Sequence, residues 1–275
     1  MPTQSMKNTV VVVTGAASGI GAAVCRRFSR EGARVGLLDF DVAGVRAAAD
    51  KLKAGGVEAV GIKCDVAEEG ECNSAIRQII GRYGGIDILV NNAGITQRSA
   101  FMETKISVYR HVMDVNFYGS LHCTKAAIDS LIERKGSIIV MESLAGLTPL
   151  LGRTGYCASK HALHGFFTSL RSELRDSGLH IMIVCPGFVK TNLQTRALDG
   201  DGRVTRHPQS LVGKPASAEK IADAIWKGAL RRRNLLILTP VGKLSYWISR
   251  FAPVYYERLM ARQVKEELIR NRLPG

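Results

Sequence analysis

Four consecutive valines running into a glycine-rich turn constrain this chain more than any other feature. Val10 to Val13, followed by Thr14, show no polar alternation, so the run reads as a strand buried on both faces, as in a parallel sheet. Thr14-Gly-Ala-Ala-Ser-Gly-Ile-Gly21 comes next, and then Ala22, Val24, Cys25 and Phe28 fall at helical spacing. Glycines between a strand and a helix let the backbone turn sharply and let a pyrophosphate approach the positive helix N-terminus. The order strand, glycine turn, helix makes this signal stronger than a glycine-rich turn alone.

The alternation continues. Residues 34–39 read as a second strand ending in Asp39, eighteen residues after Gly21 and near the spacing at which a carboxylate meets the ribose hydroxyls of NAD. A carboxylate there repels a 2′-phosphate, and Phe40, Asp41 and Val42 follow with no cation, so NAD is favoured over NADP. The competing reading is that Asp39 only caps the helix starting near residue 42. Residues 43–54 read as helix, 57–65 as strand, 68–83 as helix and 86–91 as strand. Asp65 ends its strand as Asp39 does, and an acceptor there suits the exocyclic amine of adenine. Asn91-Asn92-Ala93-Gly94 reads as a turn or as small residues lying against a flat cofactor. Residues 102–133 form one helix or two in series, with Asn116 inside the apolar pattern. Strands at 137–143, 180–185 and 235–239, with helices from 154 to about 176 and from 217 to 233, complete seven strands. The expectation is an α/β fold, a single Rossmann-type doubly wound domain with a seven-stranded parallel sheet over residues 1–241. Ligands in such folds sit at the carboxyl ends of the strands, where Asp39, Asp65, Asn92, Ser143 and Pro186 fall.

Tyr156 and Lys160 lie four apart at the start of the helix after Ser143. That spacing puts phenol and ammonium on one face, where the cation is expected to pull the Tyr156 pKa down from about 10 toward neutrality. On its own such a pair is usually an exposed Tyr and a solvated Lys. Residues 188–215 show no periodicity and read as a mobile substrate loop or a surface excursion.

Taken together, Thr14-Gly-x-x-x-Gly-x-Gly21, Cys64-Asp65-Val66, Asn91-Asn-Ala-Gly94, Asn116, Ser143, Tyr156-x-x-x-Lys160 and Pro186-Gly-x-x-x-Thr191 closely resemble the classical short-chain dehydrogenase/reductase family, almost continuously over residues 9–192. The resemblance implies that Tyr156 is the general acid in reduction and the base in oxidation, and that Ser143 hydrogen-bonds the substrate oxygen. It implies that Lys160 binds the nicotinamide ribose and lowers the Tyr156 pKa, and that Asn116 holds a water of a proton relay. Gly15, Ser18, Ile20 and Gly21 would meet the adenosine and phosphate half of the cofactor, Asp39 its ribose, and Asp65 and Val66 the adenine. Asn92, Ala93 and Gly94 would flank it, with Pro186, Gly187, Val189 and Thr191 near the nicotinamide. A homodimer or homotetramer is implied as well. Glu142 departs from the small polar residues common beside the catalytic Ser, and strand alternation predicts a partner for it behind the site. Leu144 to Thr154, with Leu147, Pro149, Leu150 and Leu151, is expected to be an apolar wall that selects substrate.

The expected activity is NAD-dependent interconversion of a secondary alcohol and a ketone on a fairly apolar substrate, steroid-like, acyl or otherwise lipophilic. The alternatives are a 3-oxoacyl thioester reductase, acting on an acyl carrier protein or coenzyme A, and a non-catalytic dinucleotide sensor or assembly partner. The six cysteines have no metal-site spacing, so no metal and no disulfide framework is expected. No window of about 18 apolar residues and no signal-peptide core appears, which predicts a cytoplasmic protein.

The net charge is +14, and residues 226–275 carry eleven Lys or Arg against three Glu, a net +8. Within 242–275, Leu244, Trp247, Ile248, Phe251 and Tyr255 fall at helical spacing, with Pro253 breaking the segment. This amphipathic extension either makes peripheral membrane contact through 242–272 or packs on the body or a subunit interface. Nucleic acid is disfavoured, because the Arg231 to Arg233 run lacks an interleaved aromatic platform.

Overall fold

The structure is a computed structural model that describes residues 6–193, 195–205 and 215–270, with side chains described through residue 262. Seven strands, β1 (Val10–Thr14), β2 (Arg34–Asp39), β3 (Ala59–Lys63), β4 (Ile88–Asn91), β5 (Ser137–Met141), β6 (His180–Cys185) and β7 (Leu235–Ile237), pair in parallel in the order 3-2-1-4-5-6-7. The order reverses between β1 and β4, so the crevice opens at their carboxyl ends.

The valine run explains why this sheet is a middle layer. Val11 and Val13 join the core under α1 (Gly19–Ser29), α2 (Val42–Ala54) and α7 (Ala218–Leu230), and Val10 and Val12 join the opposite core. That second core is capped by α3 (Glu69–Tyr83), α5 (Gly119–Glu133) and α6 (Thr154–Glu173). All four valines are fully buried, and each is worth about 1.5–3 kcal/mol in transfer free energy. All six cysteines are free, and five are buried.

The helical stretch expected over 102–133 is one run with a defect: α4 (Ile106–Met113), a π turn at Asp114–Tyr118 and then α5. Asn116 sits in that turn. The expected third, fourth, fifth and seventh strands are shorter than read.

The loop after β6 is more ordered than its lack of periodicity suggests. Leu198 N–H donates to Thr96 O at 2.8 Å, Arg98 N–H to Leu198 O at 2.7 Å and Lys105 N–H to Gly200 O at 2.9 Å, and Ala197 is fully buried. Within the expected 188–215 segment, backbone hydrogen bonds therefore tie 198–200 to 96–105, while residues 194 and 206–214 lie outside the described residues. After β7, α8 (Pro240–Phe251) and α9 (Pro253–Arg270) form the expected helical extension, broken at Pro253, and residues 271–272 of the expected membrane-contacting stretch are outside the described residues. Among the described residues no helix is long and apolar enough to cross a membrane.

Candidate active site

The glycine turn is shaped by close approach. Gly15 has φ +64°, and a Cβ there would stand 2.9 Å from Ala93 Cα; a Cβ on Gly21 would stand 2.2 Å from Gly15 O. Neither position tolerates a side chain. Asn92 fastens the two loops together, its Nδ2 donating to Thr14 O at 2.8 Å and Gly15 O at 3.1 Å. Thr14 Oγ1 accepts from the N–H groups of Asn92 and Ala93, both at 2.9 Å. Ser18 is the N-cap residue of α1, Ile20 packs on the core beneath, and Thr191 lies over Gly19.

Asp39 is not the helix cap. Asp41 fills that role, accepting from Gly44 N–H at 2.9 Å, while Asp39 Oδ2 accepts from Ala17 N–H in the glycine turn at 2.9 Å. The buried Asp39 carboxylate thus stands at the crevice edge of β2, held against the turn. Asp65 accepts from Ala67 N–H at 3.0 Å, and Val66 O receives His122 Nδ1 at 3.0 Å. The cradle of Gly15, Gly21, Asn92 to Gly94 and Asp39 fits a dinucleotide, because bare backbone, a helix N-terminus and a carboxylate meet along one crevice.

The proton-transfer residues converge at the carboxyl ends of β4 and β5. Lys160 Nζ donates to Met141 O at 2.8 Å and lies 5.7 Å from the Tyr156 ring centroid. A Cβ on Gly94 would stand 3.7 Å from Lys160 Nζ and 3.1 Å from Asn116 Oδ1. Ser143 stands close enough to Tyr156 for its hydroxyl to favour the phenolate, and it accepts from Ala145 N–H at 3.2 Å. Pro186 O accepts from Leu144 N–H, and Gly187 packs on Leu144 and Thr239, which carries the β6 end to the same place. Val189 is fixed by bridging Ala216.

One expectation is corrected here. Burial pushes the Tyr156 phenol above its ordinary value, with Ser143 and Arg153 pulling the other way, so Lys160 does not bring it toward neutrality. Lys160 is itself desolvated to a pKa of about 8, opposed by Glu142, and an ammonium that burial drives toward neutrality stabilises a phenolate less than a fully charged one. Asn116 Oδ1 accepts from Ile95 N–H at 2.8 Å and its Nδ2 donates to Ile95 O and Ser159 Oγ, both at 2.9 Å, so the side chain holds the backbone at Ile95. Ser159 passes the link on to Tyr156 O at 2.8 Å.

Glu142 turns away from Ser143 as alternation requires. Its buried carboxylate meets His164 Nδ1 at 3.2 Å and accepts from Cys185 Sγ at 2.9 Å. Residues 144–154 are less uniform than an apolar wall, since Thr148 and Arg153 are buried within them. Arg153 donates to Thr96 Oγ1 at 3.2 Å, and the fully buried Gln97 accepts from Tyr156 N–H at 2.9 Å. Sequence reasoning missed both. An Arg inside an apolar run was the available signal for Arg153, and Gln97 offered none. Among the described residues no group of three or more His, Cys, Asp or Glu could hold a metal ion.

A family profile described as short chain dehydrogenase matches residues 9–201. The rat protein named dehydrogenase/reductase SDR family member 7B is 34% identical over 270 residues, covering 95% of this chain and 83% of its own length. Its Xenopus tropicalis counterpart is 33% identical over 95% of this chain and 87% of its own. The Drosophila melanogaster dehydrogenase/reductase SDR family protein 7-like is 32% identical over 92% and 80%. A crystal structure of a short chain dehydrogenase/reductase from Burkholderia phymatum in complex with NAD superposes with a TM-score of 0.81 over 90% of this chain and 94% of its own, at 21% identity, which bears on the fold alone. The chain therefore belongs to the short-chain dehydrogenase/reductase family and is an oxidoreductase.

Proposed function

We propose that this protein transfers hydride between NAD and a secondary alcohol or ketone on a fairly apolar substrate, steroid-like, acyl or otherwise lipophilic. The observation that carries the reading is the meeting of Ser143, Tyr156 and Lys160 at a strand edge facing the glycine cradle. The dinucleotide, when bound, supplies or accepts the hydride. Tyr156 gives its hydroxyl proton to the developing alkoxide in reduction and takes it back in oxidation, and Ser143 polarises the same oxygen. Lys160, anchored at Met141 O, binds the nicotinamide ribose, and Asn116 positions the 94–95 backbone beside it.

Asp39 supports NAD over NADP, because its fixed carboxylate faces the ribose position with no cation after it. Exposed Phe101, Met102 and Ile106 support an apolar substrate: Phe101 lies tilted beside Tyr109, whose hydroxyl meets Thr154 Oγ1 at 3.1 Å at the start of the helix that carries Tyr156. The protein works as a homodimer or homotetramer in the cytoplasm, with residues 1–241 as the dehydrogenase unit and 242–272 of the extension making peripheral membrane contact.

The test is NAD-linked turnover across a panel of secondary alcohols graded by size and apolarity. Turnover that rises with apolar size supports the reading; NAD-linked activity on none of them overturns it. Asp39→Ala should lower the preference for NAD over NADP by about tenfold or more, since a like charge facing the 2′-phosphate is removed. An unchanged ratio of kcat/KM for the two cofactors would remove Asp39 from that role.

A further inference from the structure

A cleft of about 480 Å³ lies away from the catalytic edge, between the end of α7, β7 and the start of α8. Its floor is apolar, formed by Leu235, Leu236 and Ile237, and its rim carries Lys227, Arg231, Arg233 and Lys243. Asp223 neutralises Lys227 at 2.7 Å, but among the described residues no carboxylate pairs with Arg231, Arg233 or Lys243. The volume is that of a small-ligand site, and the chemistry is that of an anion with an apolar attachment.

The fourth wall says where the attachment leads. Tyr246 and Trp247 close the cleft edge to edge, and Trp247 stacks on Phe251 at 5.7 Å with the planes 10° apart. Trp247 is 54% exposed and Phe251 78%, and Leu244 beside them is also exposed. On a helix, positions 244, 247 and 251 share one face, with Lys243 and Arg250 flanking it. Cations beside an exposed aromatic face match a bilayer interface, where aromatic rings sit at headgroup depth and cations meet lipid phosphates.

We infer that the α7–β7–α8 cleft is a phospholipid headgroup site, in which Arg231, Arg233 and Lys243 hold the phosphate of an anionic lipid while Leu244, Trp247 and Phe251 enter the interface. The inference rests on the reading of 242–272 as membrane contact and adds Arg231 and Arg233, at the end of α7, to Lys243 within that segment. It also links docking to the catalytic site. Ser249 Oγ donates to Leu147 O at 3.2 Å, and a Cβ on Gly242 would stand 2.7 Å from Leu144 Cδ2, so α8 rests on the wall of the catalytic loop. A lipophilic substrate leaving the bilayer meets the site across that wall.

Co-sedimentation of the full chain with phosphatidylcholine vesicles, with and without phosphatidylserine, tests this in the absence of cofactor and substrate. The wild type should bind the anionic vesicles and not the neutral ones. Arg231→Ala, Arg233→Ala and Lys243→Ala should each weaken binding about fivefold, as expected for one cation near an anionic surface. Trp247→Ala with Phe251→Ser should remove it. Failure of the wild type to bind would overturn the membrane reading itself. Binding that survives loss of all three cations would overturn the headgroup site alone. Light scattering covers the other occupant: if the cation variants shift a lipid-free oligomer toward smaller species, the cleft is an interface between copies and the inference falls.

Discussion

At the carboxyl ends of β5 and β6 the polar side chains are buried and engaged, whereas the exposed face of α8 leaves large apolar side chains facing outward. Lys160, Asn116 and Glu142 are at most 4% exposed, and each is tied to a neighbour by a hydrogen bond. Leu244, Trp247 and Phe251 range from 54% to 78% exposed. Desolvating charged and polar groups costs free energy unless their partners are fixed, and leaving aromatics in water forgoes their burial. Each region keeps what folding alone would remove, a cost that the proposed proton transfer would account for in one and the proposed docking in the other.

The largest effect expected on this contrast comes from Tyr156→Phe. The ring stays and the backbone N–H still reaches Gln97, but the only ionisable group of that side chain is lost. Turnover should fall about 10²–10⁴-fold with NADH binding, read by nicotinamide fluorescence, unchanged. Near-normal turnover would break the assignment of the buried region to chemistry. Asn116→Leu attacks the same region through the backbone. Ile95 N–H and O would lose their partners, at a cost of about 2 kcal/mol read from the urea midpoint. A change under about 0.5 kcal/mol would mean that the π turn does not depend on this amide.

How much of this was legible in the sequence follows from the same distinction. The sheet, its order of elements and the positions of Ser143, Tyr156, Lys160 and the glycine cradle were readable, because local periodicity and turn residues specify them. The π turn was not, since one extra residue in a helix leaves the apolar pattern intact. Nor were Gln97 and Arg153, whose roles come from contacts between loops distant in sequence. The direction of the Tyr156 pKa was misread because spacing shows which charges are near but not how dry the site is. Depth of burial outweighed the nearby cation. The cleft was hidden for a related reason: Arg231 and Arg233 are separated from Lys243 by β7, and only the fold brings them to one cleft.

A pH profile sharpens the contrast within the buried region. Alcohol oxidation needs the Tyr156 phenolate, which burial disfavours, so its rate should rise about tenfold per pH unit through the neutral range and keep rising toward and beyond 10.0. Ser143→Ala removes a hydrogen bond that favours the phenolate and should move the profile to higher pH; a shift to lower pH would show that Ser143 does not stabilise the ionised form. For Lys160 the folded pKa of about 8 lies below the ordinary 10.5. The unfolded chain therefore binds more protons between pH 8 and 10.5, and folding stability rises with pH across that window. Relative to Lys160→Met, the wild type should gain stability there, read from urea midpoints at each pH, and a flat difference would show that the ammonium is not desolvated.

The smallest expected effect separates the two regions most cleanly. Phe251 is 78% exposed and its ring contact is Trp247, so Phe251→Ser forfeits little burial and should change stability by less than about 1 kcal/mol. Phe167, of the same residue type but fully buried in the core, should cost about 3–5 kcal/mol when cut to Ala. Turnover of a water-soluble alcohol should also be unchanged in Phe251→Ser, because the side chain touches no group at the catalytic edge. A residue that is silent in both assays yet required for vesicle binding has no role left except contact outside its own chain. Should Phe251→Ser instead lower the urea midpoint as far as the Phe167 truncation does, α8 would be a structural element packed by its aromatic face, and the division between a region built for chemistry and one built for docking would fail.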